Sequence, residues 1–261
     1  LEVDTMAEFT GRAALVTGAS SGIGRSTAER LAAEGAAVAL VARREKELSE
    51  VAARIAAGGG RAEVVPADLS VEAECGRAVA ETVARLGGLD VLVNAAGIIG
   101  GGSIETTSTA DFDRMMNVNL RSIFLLTRAA TPHLVARKGA VVNVSSVTGT
   151  RAFPGLLGYC VSKAAVDQFT RCVALELAPK GVRVNGVNPG VVVTNLHRAG
   201  GMDEAAYAKF LERCRETHPL GRPGQPEEVA DLILFLASAR AAWITGGCFP
   251  VDGGRAETCA R

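Results

Sequence analysis

Short runs of consecutive apolar residues alternate with longer stretches in which apolar positions recur every three or four residues, from residue 12 to about 190. The runs 13–17, 37–42, 62–66, 91–94, 140–145 and 182–187 are rich in valine and apolar at successive positions. Strands buried on both faces read this way. Between them, 23–34, 45–57, 71–86, 111–135 and 157–178 carry helical spacing. This alternation predicts an α/β fold, a doubly wound Rossmann domain with a parallel sheet and helices on both faces. No Pro/Ser-rich linker and no repeat interrupts it, so one domain is expected over residues 6–261. The longest departure, 195–219, is polar, holds Gly200-Gly201 and has a short helical piece near 203–215. Residues 226–237 then predict a helix opening on proline, and 247–251 a last strand.

Composition narrows the function. The chain has 261 residues, 48% hydrophobic and 21% charged, enough apolar material for one large core. Lys+Arg and Asp+Glu both number 28, so no basic surplus points to nucleic acid or to an anionic membrane. Aromatic content of 4% argues against base-stacking platforms. Six scattered cysteines without a Cys-x-x-Cys pair read as reduced thiols, and no His/Cys/carboxylate cluster suggests a metal. No apolar run approaches the ~18 residues of a membrane span, and the N-terminus lacks a signal-peptide pattern. Met6 reads as the natural start, with residues 1–5 a remnant of expression, and the expected location is the cytoplasm.

The first strand runs into Thr17-Gly18-Ala19-Ser20-Ser21-Gly22-Ile23-Gly24 and then a helix. Glycines there let backbone N–H groups approach a pyrophosphate, and the helix N-terminus adds positive potential. The spacing is Gly-x-x-x-Gly-x-Gly, not the general Gly-x-Gly-x-x-Gly, and a tight turn with close helix packing would also account for it. Gly18–Gly22 also matches the Gly-x-Ser-x-Gly elbow of α/β-hydrolases. That reading needs a later acid and one of His133, His197 or His218, and leaves Tyr159 and Lys163 without a role. The second strand ends in Val41-Ala42-Arg43-Arg44, about where a dinucleotide fold meets the adenosine ribose. Ala42 offers no acid to the ribose hydroxyls, and two arginine forks suit a 2′-phosphate, unless they are solvated residues leading a helix.

Tyr159 and Lys163 stand four residues apart, on one face of the expected helix. A nearby ammonium would lower the phenol pKa from about 10 and make it a neutral-pH proton donor and acceptor.

Together these residues resemble the short-chain dehydrogenase/reductase family, over about residues 10–254. Its glycine motif is similar to Thr17–Gly24 and its active-site motif to Tyr159-x-x-x-Lys163. Asp68-Leu69 matches the adenine-contacting pair, though Asp68 could equally cap the helix that follows. Asn94-Ala95-Ala96-Gly97 matches the family's Asn-Asn-Ala-Gly, with Ala95 a departure. Asn119 aligns with the helix asparagine, or serves only as a helix residue bonding backbone. Ser146, thirteen residues before Tyr159, aligns with the catalytic serine, and Ser145 is its minor rival. Asn188-Pro189-Gly190 through Val192 and Thr194 matches the nicotinamide-side loop, and Val251–Gly254 the C-terminal end.

The resemblance implies hydride transfer between a nicotinamide and a carbonyl or secondary alcohol. Tyr159 would be the proton donor, and Lys163 would lower its pKa and hold the ribose. Ser146 would bind the substrate oxygen, and Asn119 would support a water relay. Phe153, Leu157 and Val191 would line a mostly apolar substrate pocket, under a lid formed by 195–218 with Gly200-Gly201 as hinges. NADP(H) is expected over NAD(H), although Ser21 stands where NADP-using relatives often carry a basic residue. β-Ketoacyl-carrier reductases are the most similar members in pattern, and sugar, steroid and alcohol dehydrogenases share the motifs. A non-enzymatic dinucleotide sensor or scaffold would need the pocket but not the Ser146–Tyr159–Lys163 set. The resemblance also implies a homotetramer, assembled through helices 111–135 and 157–178 and the apolar ending Trp243–Val251.

Overall fold

The central strands are buried on both sides and the two edge strands only in part, and the helices between them supply the cover. The computed structural model describes residues 7–259, so the expected start at Met6, the remnant 1–5 and Ala260-Arg261 lie outside the described residues. Seven strands follow in chain order: β1 (Ala13–Thr17), β2 (Ala37–Ala42), β3 (Arg61–Pro66), β4 (Val91–Asn94), β5 (Ala140–Val144), β6 (Arg183–Pro189) and β7 (Cys248–Val251). They form one sheet in the order β3-β2-β1-β4-β5-β6-β7, and every pairing is parallel.

Successive side chains of a strand point to opposite faces. Ala14 and Val16 of β1 therefore enter one core, with Leu31 of α1 (Gly22–Ala33), Leu48 and Ile55 of α2 (Glu45–Ala57), and Ile233 of the late helix 226–237. Leu15, between them, enters the other core, with Val79 of α3 (Glu72–Leu86) and residues of the later helices such as Leu126 and Leu177. Burying a leucine side chain contributes about 1.5–3 kcal/mol. At the start of β1 the buried Asp90 is paired, accepting from Ala13 N at 3.0 Å and from Arg12 Nη1 at 2.9 Å.

The chain winds outward from β1 to β3, then crosses back to place β4 on the other side of β1. Open α/β sheets bind ligands at that reversal, beyond the carboxyl ends of the strands.

Expectation and structure differ most at 111–135. In place of one helix there are α4 (Thr109–Met116), a π-helical segment (Asn117–Arg121) and α5 (Ser122–Arg137). A π turn widens the helix by one residue, so periodicity alone reads straight through it. The segment 195–218 is also more ordered than expected, holding α7 (Leu196–Ala199) and α8 (Glu204–Thr217). The remaining helices are α6 (Leu157–Leu177) and α9 (Pro226–Ala237). Among the described residues no helix is long and apolar enough to cross a membrane.

Candidate active site

A cavity of about 1010 Å³ opens over the carboxyl ends of the strands. Gly18, Ser20, Ser21, Gly22, Ile23 and Gly24 form its floor, between β1 and α1. Each glycine has a physical reason. Gly18 and Gly22 have φ of +67° and +55°, the left-handed region that side chains disfavour. A Cβ on Gly24 would lie 2.5 Å from Gly18 O, and one on Gly18 2.9 Å from Ala95 O. The loop is thus packed backbone to backbone, as an approach to a pyrophosphate requires. Thr17 Oγ1 holds the facing loop by accepting from Ala95 N and Ala96 N, both at 3.0 Å.

At the end of β2, Arg43 and Arg44 both line the cavity. Arg44 reaches the glycine loop, donating to Ser20 Oγ at 3.2 Å, and pairs with Glu47 at 3.0 Å. Asp68 and Leu69 line the wall beyond β3. Asp68 Oδ1 accepts from Ser70 N at 2.9 Å and Ser70 Oγ at 2.7 Å. These bonds, with the Arg43 charge, hold its carboxyl below the ordinary value. Asp68 is therefore a turn residue and a cavity residue at once.

Ser146, Tyr159 and Lys163 meet at the other side of the reversal. Ser146 follows β5, and its Oγ accepts from Thr148 N at 3.1 Å and lies close enough to the Tyr159 phenol to favour its charged form. Ser145 also lines the cavity, but its hydroxyl is engaged, donating to Lys163 O at 3.0 Å. Both Tyr159 and Lys163 are buried on α6 and line the cavity. Lys163 Nζ donates to Val144 O at 2.9 Å and stands 5.8 Å from the centre of the Tyr159 ring.

Here the expected pKa of Tyr159 is corrected. Burial pushes the phenol up to about 12, against the pull of Ser146. Burial likewise pulls Lys163 down to about 8, against the pull of Asp167. A charge loses its hydration when buried, and that cost exceeds what Ser146 returns to Tyr159 and Asp167 to Lys163.

Three further site expectations shift. Asn94 lies in the sheet beneath the cavity, not in its wall, and donates to Asn143 Oδ1 at 2.9 Å. It ends β4 in register with Asn143. Leu157 does not line the cavity; Leu156, just before α6, does. Asn119, in the π segment, bonds both backbone groups of Ile98, accepting from N at 2.8 Å and donating to O at 2.9 Å. It also donates to Ser162 Oγ at 3.0 Å. The residue thus pins the loop that carries Gly97. A Cβ on Gly97 would sit 3.3 Å from Asn119 Oδ1 and 3.6 Å from Lys163 Nζ, so all three meet at one point.

Ala95, Gly97, Pro189, Gly190, Val191, Val192, Thr194 and Phe153 complete the expected wall. Sequence reasoning missed what lies behind it and beyond it. Asp167 and Asn188 brace the catalytic strand: Asn188 Nδ2 donates to Ser146 O at 2.9 Å and to Asp167 Oδ2 at 2.9 Å. His218 is buried, and its Nε2 accepts from Val191 N at 3.2 Å. Burial lowers its pKa, which favours the neutral ring this bond needs. His197, Phe210, Arg213 and Arg255 also line the cavity. The sequence offered His218 only as a partner for the hydrolase elbow, and its bond to Val191 N depends on burial that no local pattern reports.

A glycine cradle at a topological switch, with a buried Ser–Tyr–Lys set opposite, defines a dinucleotide-binding oxidoreductase. The comparisons make the class specific. Residues 18–256 match the family described as "Enoyl-(Acyl carrier protein) reductase". Meso-2,3-butanediol dehydrogenase of Serratia marcescens is 38% identical over 94% of this chain and 95% of its own. A 3-oxoacyl-[acyl-carrier-protein] reductase of Synechocystis is 39% identical over 95% and 98%. A solved short-chain dehydrogenase/reductase of unknown function from Caenorhabditis elegans, with cofactor, superposes with a TM-score of 0.91. It is 37% identical, covering 96% of this chain and 97% of that one. The chain belongs to the short-chain dehydrogenase/reductase family, oxidoreductases of alcohols and carbonyls that take a nicotinamide cofactor.

Proposed function

We propose that the protein is an NADP(H)-dependent reductase of a ketone or aldehyde to the alcohol, and the reverse. The observation that carries this reading is the buried Tyr159 phenol beside Lys163, with Ser146 lining the same glycine-cradled cavity. The fit for the cofactor rests on that cradle, where a side chain on Gly18 or Gly24 would strike backbone. Gly18–Gly24 would hold its pyrophosphate, Asp68 and Leu69 its adenine, and Pro189–Thr194 its nicotinamide. When bound, the cofactor supplies hydride to the carbonyl carbon or takes it back.

The chain's own groups manage the oxygen. Ser146 donates a hydrogen bond to the carbonyl oxygen and favours the charge developing there. Tyr159, whose phenol keeps its proton at neutral pH, gives that proton to the alkoxide, the stronger base. Lys163, fixed by Val144 O, presents a cation beside the phenolate left behind. Asn119 holds Gly97 and its loop against Lys163.

Preference for NADP(H) rests on Arg43 and Arg44. Arg44 is already shared with Glu47, so Arg43 is the stronger candidate for the 2′-phosphate. Segment 195–218 serves as the lid. Tyr207 of α8 ties it to the nicotinamide-side loop, its hydroxyl accepting from Thr194 N at 3.2 Å and donating to Thr194 O at 2.9 Å. Gly201, at φ +100° with open space around it, suits a hinge, whereas Gly200 packs against Ile99. The assembly we propose is a homotetramer in the cytoplasm. The exposed Trp243 and Phe124 lie in the segments expected to meet a second copy. A panel of ketones, aldehydes and secondary alcohols assayed with NADPH and NADH tests the reading. Hydride transfer with NADPH supports it, and absence of turnover with every carbonyl overturns it.

A further inference from the structure

The loop 189–194, on the nicotinamide side of the proposed site, carries no titratable side chain of its own. Neighbouring backbone holds part of it. Gly190 N donates to Val251 O at 3.3 Å, Gly224 N to Val191 O at 2.9 Å, and Val193 N to Gly224 O at 3.0 Å. Two side chains tie the same loop to α8. Tyr207, near the start of that helix, bonds both backbone groups of Thr194. His218, the residue that ends it, bonds Val191, its Nε2 accepting from N at 3.2 Å.

The His218 ring is fixed at both nitrogens. Thr217 Oγ1 donates to Arg213 O at 3.2 Å, which leaves its lone pairs to accept from His218 Nδ1–H, 3.1 Å away. The proton therefore sits on Nδ1, and Nε2 is left as the acceptor that Val191 N needs. The ring is 2% exposed and stands behind the cavity wall, where Val191 and Thr217 face the cavity and His218 does not. A Cβ on Gly190 would lie 3.0 Å from Nε2, so a glycine there lets the ring meet the loop backbone.

Protonation breaks this arrangement. An imidazolium carries N–H on both nitrogens, so Nε2 stops accepting and faces Val191 N–H as a second donor. Arg255, on the turn after β7, opposes the proton, and Asp252, just after β7, favours it. The Asp252 carboxylate is also engaged by Gly254 N at 2.9 Å and Ala256 N at 2.7 Å. From α8 itself, Cys214 meets His218 through its carbonyl, which accepts from His218 N at 3.0 Å. Burial is the largest influence and acts with Arg255 to hold the ring below the ordinary histidine value.

We propose that His218 is a positioning residue for the cofactor: its neutral ring sets the nicotinamide-side loop and latches the end of the lid to it, and a proton on the ring releases both. This deepens the proposed function and rests on 189–194 being the nicotinamide side of the site. Histidine is the side chain whose ordinary charge change falls between about pH 5 and 8, so the latch responds to acid.

The test is calorimetric titration of the full-length protein with NADP+ and with NAD+, from about pH 5 to 8. His218→Gln and His218→Phe are measured beside it, and all three proteins are assayed on the carbonyl panel. Glutamine still accepts from Val191 N and does not titrate; phenylalanine keeps a ring and removes the acceptor. At neutral pH, His218→Phe should bind either dinucleotide about tenfold more weakly, and His218→Gln within about threefold of the original. Below about pH 6.5 the original protein should lose affinity relative to His218→Gln, by at least about threefold near pH 5. Taking that ratio at each pH cancels the titration of the cofactor and of the carboxylates, and a residue that only supported the fold would leave it flat. A flat ratio, or a His218→Phe protein of unchanged affinity, overturns the proposal. If His218→Phe does not fold, the ratio alone decides it. The expected ratio without turnover of any carbonyl supports the latch and defeats the reductase reading. Failure of the original protein to bind either dinucleotide overturns the cofactor site and the latch with it.

Discussion

Replacing Lys163 with methionine should stabilise the protein at neutral pH and destabilise it in alkali. The fall of the Lys163 pKa from 10.5 to about 8 corresponds to about 3 kcal/mol against the charged form, at about 1.4 kcal/mol per tenfold. The folded pKa lies below the unfolded one. Between pH about 8 and 10.5 the unfolded chain therefore binds more protons, and stability rises with pH. Below pH about 8 the cost is present in full; above 10.5 it is gone. Lys163→Met removes that cost but also takes the donor from Val144 O, worth about 1–3 kcal/mol if the carbonyl is left short. The net is a gain of about 1 kcal/mol at pH 7, or about 2–4 °C in Tm for a chain of this size. Near pH 10.5 the sign reverses to a loss of about 1–3 kcal/mol. Thermal unfolding of both proteins from pH 6.5 to 10.5 reads this directly. A Lys163→Met protein destabilised equally at all pH values would refute the burial argument.

Three other outcomes follow from the same geometry. Arg43→Asp should weaken NADPH roughly tenfold to a hundredfold, the worth of a charge-assisted hydrogen bond, and leave NADH similar or better in a fluorescence titration. Gly24→Ala forces backbone apart at Gly18 O, and should cost about 1–3 kcal/mol in unfolding experiments and abolish cofactor binding at micromolar concentration. Light scattering at micromolar protein should give the mass of four chains, and a monomer would remove the assembly proposal.

The central strands were legible because the parallel sheet buries them on both faces, so apolar runs mark them within about two residues. The glycine loop and the Tyr159–Lys163 pair were legible because each depends on local spacing. What local spacing cannot carry was missed. The π turn at Asn117–Arg121 has no signature in periodicity, and it is what aims Asn119 at Ile98. Leu156, the residue just before α6, faces the cavity, whereas the expected Leu157, which opens the helix, does not. Arg213 and Arg255 reach the cavity only because α8 and the turn after β7 fold back over it, a long-range event no motif reports. The pKa of Tyr159 was misjudged for a similar reason: burial is its dominant influence, and burial is a property of the whole fold.

The central claim is that Tyr159 gives its proton to a substrate oxygen. Tyr159→Phe keeps the ring and removes the hydroxyl. Steady-state reduction of the best carbonyl substrate, beside a fluorescence titration with NADPH, separates chemistry from binding. The account predicts at least a hundredfold loss of kcat with the cofactor bound within about threefold of the original affinity. Near-normal turnover by a folded Tyr159→Phe protein would contradict it.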